Sequence, residues 1–154
     1  MDWYTVDEQL HAGPHPALHL GLAEALEAVD VSLVVDLTQE GRAAGRHAPA
    51  PPGARRSWHP VRDFAAPTAE QMTEGLDVID RERSAGGSVY VHCYAGVGRT
   101  GTVVGCWLVR HGWTPGAALA LIRERRRDLP SYAARPDSPE TPEQHALVHA
   151  WSEE

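Results

Sequence analysis

Lysine is absent from this chain of 154 residues, so all 14 of its basic residues are arginine. Acidic residues are more numerous, at 21, and the formal net charge at pH 7 is −7. A general nucleic-acid binder needs a net basic face that neutralises phosphates, and a chain of this charge does not supply one. We therefore expect no nucleic-acid partner, while a local basic pocket remains compatible with the composition.

Cysteine and long apolar runs are also scarce. Cys93 and Cys106 are too few for a disulfide framework. The N-terminus lacks the basic region and apolar core of a secretory signal. The longest apolar stretch, around residues 102–109, is far shorter than the roughly 20 residues that span a membrane. We therefore expect a protein of the reducing cytoplasm that does not associate with membranes.

Short apolar runs alternate with segments of helical spacing along the chain. Residues 31–37 form a β-branched run typical of a buried strand, whereas residues 41–56, rich in Gly, Ala, Pro and Arg, predict a surface loop. The predicted strands cover 31–37, 57–61 and 88–92, and the predicted helices cover 21–29, 68–83, 98–111, 117–127 and 143–151. This alternation predicts an α/β fold with a mostly parallel central sheet flanked by helices. The length predicts a single domain over residues 1–154.

The segment His-Cys-Tyr-Ala-Gly-Val-Gly-Arg-Thr-Gly, from His92 to Gly101, carries the strongest chemical signal. It joins a predicted buried strand to the start of a helix, where unpaired N–H groups and the helix dipole favour an anion. Gly96 and Gly98 let successive amides point into one concavity. The segment therefore predicts a phosphate-binding loop. Its members are Tyr94, Ala95, Gly96, Val97, Gly98 and Arg99.

Four side chains around this loop have roles that follow from their positions. At the helix start and beside Arg99, Cys93 is expected to act as a thiolate, the form that attacks phosphorus near neutral pH. Arg99 can donate two parallel hydrogen bonds to phosphoryl oxygens as charge spreads in the transition state. The Thr100 hydroxyl is placed to hydrogen-bond the sulfur and help the thiolate leave. We expect His92 to orient the loop by hydrogen bonding, since a thiolate needs no base.

This segment resembles the signature of the protein tyrosine and dual-specificity phosphatase superfamily: His-Cys, five residues, Arg, then Ser or Thr and often Gly. The chain matches every position of that signature from His92 to Gly101. The resemblance covers nearly the whole chain, is strongest over residues 89–112, and is closer to the compact dual-specificity group than to the larger tyrosine-specific domains. It implies the cysteine-phosphatase fold. It also implies metal-independent hydrolysis of phosphomonoesters through a cysteinyl phosphate, without a cofactor.

Expulsion of an alkoxide or phenoxide requires a proton donor on the leaving-group side, and a carboxylic acid on a movable loop meets that need. Asp63 lies just past a predicted strand, in Pro-Val-Arg-Asp-Phe-Ala-Ala-Pro. The resemblance places the family's general acid on such a loop, about this far before the nucleophile. Asp36 is the alternative acid, because it also lies at the end of a buried apolar strand. A turn residue or a partner of Arg62 is the non-catalytic interpretation of Asp63.

Near the C-terminus, residues 139–144 resemble a segment that in several of these phosphatases carries a glutamine. That glutamine positions water against the cysteinyl phosphate, and Gln144 is the matching residue. Thr141 and Gln144 also fit a capping box, in which the amide satisfies the first turn of its own helix. Both interpretations stay open on the sequence.

The histidines, Cys106 and an arginine run are interpreted as structural rather than functional residues. The nine histidines do not predict a metal site, because they lack paired spacing with a carboxylate pattern. Cys106 is expected to be a small buried side chain in an apolar helix, with a redox pair to Cys93 as the alternative. The arginine run at residues 123–127 predicts a solvated face.

The sequence therefore predicts a protein phosphatase that acts on phosphotyrosine, phosphoserine/threonine, or both. Tyr94, Ala95 and Val97 carry no charge, whereas family members that act on phosphoinositides tend to place lysines in this loop, so polyanionic substrates are disfavoured. The alternatives are a phosphatase of a small phosphorylated metabolite or an RNA 5′ end, and a catalytically silent phosphate-binding module. The expected partner is a phosphorylated protein or a small phosphomonoester, and the oligomeric state stays open.

Overall fold

The computed structural model describes residues 2–39 and 50–153. The strands are β1 (Tyr4–Asp7), β2 (Leu10–Gly13), β3 (Leu33–Thr38), β4 (Arg55–Val61) and β5 (Val89–His92). The α-helices are α1 (Leu22–Ala28), α2 (Ala69–Ser84), α3 (Gly98–Arg110), α4 (Pro115–Arg126) and α5 (Pro142–Ala150), and a short 3-10 helix covers Pro16–Leu18. Within the two described ranges, no helix is long and apolar enough to span a membrane.

The strands form one sheet in the order β1-β2-β5-β3-β4. β1 runs antiparallel to β2, and the other three pairings are parallel. Every residue of β3 and β5 is buried, as expected for strands covered on both faces. The predicted mostly parallel α/β sheet is confirmed.

Helices cover both faces of the sheet. On one face, α1 contributes Leu22 and Leu26, which cluster with Val34 and Tyr90 of the sheet. On the other face, α2 to α5 pack over the larger part of the core. Met72, Leu76 and Ile79 of α2 are among its buried residues, as the helical spacing predicts.

The helix ends follow the sequence signals. Capping boxes form at the starts of α2 and α5, and Thr114 caps α4 ahead of Pro115. Gly112 has φ 98° just past α3, the left-handed conformation that glycine adopts without strain.

The loop predicted at 41–56 is wrong at its end, because β4 begins at Arg55 and pairs with β3 there. Residues 41–49 of that loop lie outside the described ranges, and the single-domain assignment stays a prediction.

The hairpin of β1 and β2 is absent from the sequence predictions. β2 lies beside β5, the strand that leads to the phosphate loop, and Gly13 stands opposite His92 in the register. The end of β2 therefore reaches the same edge of the sheet as Cys93.

Candidate active site

The predicted phosphate-binding loop lies at the carboxyl edge of the parallel strands. Cys93 follows β5 directly, and α3 begins at Gly98. Cys93 is 2% exposed, whereas the neighbouring Tyr94 is 51% exposed. The sulfur thus lies below the surface at the edge where ligands bind in open parallel sheets.

Gly96 turns the loop back toward the sulfur. Its φ is 79°, and its N–H donates to the Cys93 Sγ at 3.3 Å. A Cβ at this position would overlap the backbone of Gly13 and Pro14. The backbone N–H of His15 donates to the Tyr94 carbonyl oxygen at 2.9 Å. The segment after β2 therefore fixes the shape of the loop from outside.

His92 lies beneath the loop and is fully buried. Its Nδ1 donates to the Cys93 carbonyl oxygen at 2.9 Å, and its Nε2 is 3.8 Å from Asp36 Oδ1. Burial lowers the pKa of His92 to about 4, so the imidazole is neutral near neutral pH. This geometry fits a residue that orients the loop backbone.

Arg99 is 2% exposed and connects the phosphate loop to the end of β4. Its Nη1 donates to the Val61 carbonyl oxygen at 3.0 Å, and its Nη2 is 3.3 Å from Asp63 Oδ1. A guanidinium held from two directions has little rotamer freedom left to lose when it binds a phosphoryl group.

Asp63 belongs to the segment between β4 and the N-cap of α2, residues 62–67, which we call the acid loop. Its side chain is 55% exposed and faces Arg99, and its Oδ1 accepts a hydrogen bond from the Phe64 N–H at 3.0 Å. Phe64 has φ 64°, a conformation that a bulky residue rarely adopts. The structure thus places Asp63 against Arg99, at the sheet edge where Cys93 also lies, as the sequence predicts.

Asp36 has a different environment. It is fully buried in β3, stands opposite His92 in the register, and accepts hydrogen bonds from the Thr38 N–H at 2.8 Å and the Thr38 hydroxyl at 2.5 Å. A carboxylate fixed inside a strand does not meet the need for an acid on a movable loop. The geometry favours Asp63 over Asp36 and leaves Asp36 as a support for His92.

Gln144 is fully buried at the start of α5. Its Oε1 accepts hydrogen bonds from the Glu140 and Thr141 N–H groups at 3.0 and 3.1 Å, which confirms the capping interpretation. Its Nε2 donates to the Ala65 carbonyl oxygen in the acid loop at 3.2 Å. The positioning of water by Gln144 stays a prediction.

Thr100 and Cys106 both lie on α3. The Thr100 hydroxyl is buried and has no hydrogen-bond partner among the described residues, which leaves its O–H available to a sulfur anion. Cys106 is fully buried, and burial raises its pKa to about 12, so it remains a thiol. The buried-side-chain interpretation of Cys106 is confirmed, and a redox pair with Cys93 stays a prediction.

Two supporting residues were not identified from the sequence. The Ser138 hydroxyl donates to the Val97 carbonyl oxygen at 2.6 Å and so ties the end of the phosphate loop to the segment before α5. Arg126 is 1% exposed and donates to the Arg135 and Pro136 carbonyl oxygens, so the predicted solvated face is wrong at this position. No local sequence signal marks either contact, because each partner lies in a segment without regular structure.

A model of the family "Polymorphic toxin system, DSP-PTPase phosphatase" matches residues 21–113, more than half of the chain. The chain belongs to this DSP-PTPase phosphatase family. The matched range contains both the phosphate loop and the acid loop. The resemblance to the protein tyrosine and dual-specificity phosphatase superfamily is thereby confirmed, and the family supports a phosphatase, a hydrolase, as the class of enzyme.

Curated relatives and a solved structure agree with this membership. Phosphatidylglycerophosphate phosphatase PTPMT1 of Arabidopsis thaliana is 43% identical over 68 residues, which are 43% of this chain and 20% of the relative. Tyrosine-protein phosphatase cdc-14 of Caenorhabditis elegans is 34% identical over 87 residues, 56% of this chain and 11% of the relative. The matches therefore span a fifth or less of the length of these relatives. The crystal structure of Tk-PTP in its G95A mutant form is 28% identical with a TM-score of 0.75, and the match covers 96% of this chain and 91% of that one.

Proposed function

We propose that this DSP-PTPase phosphatase hydrolyses phosphomonoesters through a covalent Cys93 phosphoenzyme, with no metal ion. The observation that carries the proposal is the convergence of a buried Cys93, a fixed Arg99 and the exposed carboxyl group of Asp63 at one edge of the sheet. No group of three or more His, Cys, Asp or Glu side chains is placed to hold a metal ion in the part of the chain that the structure describes.

In the first step, the Cys93 thiolate attacks phosphorus, and the bond from phosphorus to the leaving oxygen breaks. Asp63 in its protonated form transfers its proton to that oxygen, so an alcohol or phenol departs. The backbone amides of the loop and the fork of Arg99 hold the phosphoryl oxygens. Since Asp63 lies 3.3 Å from Arg99, the incoming phosphate competes with the carboxylate for that guanidinium.

In the second step, water attacks phosphorus and the bond from phosphorus to sulfur breaks. The Asp63 carboxylate takes a proton from the water, and the sulfur leaves as a thiolate. The Thr100 hydroxyl can then donate to the sulfur anion. This returns Cys93 and Asp63 to their starting forms and releases inorganic phosphate.

For the substrate we propose phosphorylated side chains of proteins. Tyr94 and Phe64, which flank Cys93 and Asp63 in the sequence, are 51% and 55% exposed and offer apolar contact area to an aryl or peptide group. The phosphate loop adds no cationic side chain besides Arg99, which does not favour a substrate with several phosphates. The second candidate is a phospholipid, because one relative is named for phosphatidylglycerophosphate. We retain the cytoplasm as the proposed location, and the two free thiols are compatible with it.

The first test is hydrolysis of para-nitrophenyl phosphate in EDTA by the wild type and by Cys93→Ser, with vanadate as inhibitor. We expect turnover by the wild type, inhibition by vanadate and no turnover by the variant. Turnover that survives Cys93→Ser would contradict the mechanism, and phosphate binding without turnover would favour a silent binding module.

The substrate class is tested by comparing kcat/KM across four substrates. These are a phosphotyrosyl peptide, a phosphoseryl peptide, phosphatidylglycerophosphate in detergent micelles and a 5′-phosphorylated RNA. A peptide preference supports the proposal, and a preference for the lipid or the RNA replaces it with that candidate.

A further inference from the structure

The acid loop contains a strained residue directly after the proposed general acid. Phe64 has φ 64°, in the left-handed region, where a bulky side chain is strained. Phe64 is 55% exposed, so burial of its side chain does not account for this conformation. Such a conformation persists only where surrounding contacts hold the backbone.

Those contacts come from the N-terminus of α5. The Thr141 hydroxyl lies 3.4 Å from the Phe64 carbonyl oxygen and donates to it, and Gln144 Nε2 donates to the Ala65 carbonyl oxygen at 3.2 Å. The two acceptors are consecutive carbonyl groups, one and two residues after Asp63. The capping residues of α5 therefore hold the backbone that sets the direction of the Asp63 side chain.

Gln144 is itself fixed against the phosphate loop. Its Oε1 accepts hydrogen bonds from the Glu140 and Thr141 N–H groups, so both of its lone pairs are used. A Cβ at Gly98, the first residue of α3, would lie 3.2 Å from both polar atoms of the Gln144 amide. One buried side chain thus connects the end of the phosphate loop, the cap of α5 and the acid loop.

We propose that Gln144 is a positioning residue for the general acid: it holds the acid loop so that Asp63 reaches the leaving oxygen in the first step. The inference rests on the proposed function. It differs from a role in positioning water, because the amide oxygen that would accept a hydrogen bond from the water is already engaged by two N–H groups.

The test variant is Gln144→Glu. Glutamate is also found at this position of capping boxes, so the cap of α5 is retained. The exchange removes the N–H donor to Ala65, places an acceptor there instead and adds a negative charge. Gln71→Glu is the matched control, because Gln71 fills the same position of the α2 capping box, is exposed, and forms its side-chain hydrogen bond within that cap, with the Thr68 N–H.

The readout is kcat/KM for two aryl phosphates that differ in leaving group. Phenyl phosphate needs the proton from Asp63, whereas para-nitrophenyl phosphate releases a more acidic phenol and needs it less. We expect Gln144→Glu to lose about tenfold or more on phenyl phosphate and roughly threefold or less on para-nitrophenyl phosphate, because a misplaced acid loses part of its effect. Gln71→Glu should change neither value. The ratio of the two substrates does not depend on the fraction of folded enzyme, so partial unfolding cannot imitate the result.

Two outcomes would overturn the proposal. Equal losses on both substrates would mean that Gln144 does not act through the acid. Unchanged kcat/KM with a lower kcat and a burst of released phenol would place Gln144 in the attack of water on the phosphoenzyme. Failure of the proposed function is distinguishable from both, because it would show in the wild type as turnover independent of Cys93 or as no turnover.

Discussion

The Asp63 carboxyl group is proposed to donate a proton and is also a neighbour of Arg99, and the exchange Asp63→Asn should change catalysis and phosphate affinity in opposite directions. Asparagine keeps an oxygen that can accept the Phe64 N–H, so the turn of the acid loop is retained. The exchange removes the transferable proton and also the negative charge 3.3 Å from Arg99. Catalysis should therefore fall while the affinity for an oxyanion rises.

The magnitudes follow from the exposure of the two partners. A general acid contributes about 10² to 10⁴ in rate, so we expect a loss in this range for phenyl phosphate and a smaller one for para-nitrophenyl phosphate. Asp63 is 55% exposed, and an ion pair of that exposure contributes about 1 kcal/mol or less. Removal of the competing carboxylate should therefore tighten phosphate binding by up to about fivefold.

The assay is steady-state hydrolysis of both substrates, with the competitive inhibition constant of phosphate measured for each enzyme. The loss of kcat/KM should be larger for phenyl phosphate than for para-nitrophenyl phosphate, because the less acidic phenol depends more on the transferred proton. Weaker phosphate binding by Asp63→Asn, or equal losses on the two substrates, would refute the assignment.

Three further predictions test the framework of the site. Arg99→Lys keeps the charge but loses the fork that contacts Val61, and kcat/KM should fall by about 10² or more; a loss below tenfold would contradict the clamp role. Gly96→Ala should lower the free energy of unfolding by about 2 kcal/mol more than Gly86→Ala in urea titrations, because both positions have positive φ but only Gly96 lacks space for a Cβ. Burial lowers the pKa of His92 to about 4, so between pH 6.5 and 4 the unfolded chain binds a proton that the folded chain does not. The free energy of unfolding should fall as pH drops through this window, by at most about 3 kcal/mol from this residue, and His92→Asn should flatten the dependence.

The parts of the site that the sequence predicts are those defined by local chemistry. A strand, a glycine-containing turn and a helix start within ten residues determine where Cys93 and Arg99 lie relative to each other, and the structure places them so. Asp63 follows a strand parallel to the others, and parallel strands end at the same edge of a sheet. Its proximity to Arg99 therefore follows from topology as well as from the family resemblance.

The parts that the sequence does not predict depend on distant contacts. β2 has the sequence Leu-His-Ala-Gly, which contains no β-branched residue, and it is stabilised by its place between β1 and β5. The capping boxes of α2 and α5 have the same sequence pattern, yet Gln71 is exposed and Gln144 is buried. Gln144 donates a hydrogen bond to the Ala65 carbonyl oxygen, which lies 79 residues away in the sequence. No local pattern reveals that contact.

The central claim is that the reaction passes through a phosphoryl group bound to Cys93. It is tested most directly by rapid acid quenching of the enzyme during turnover of an aryl phosphate, followed by mass spectrometry of its peptides. We predict a phosphoryl adduct on the peptide that contains Cys93, present during turnover, absent from Cys93→Ser and unaffected by EDTA. An active enzyme that shows no such adduct, even when Asp63→Asn slows the second step, would contradict the account.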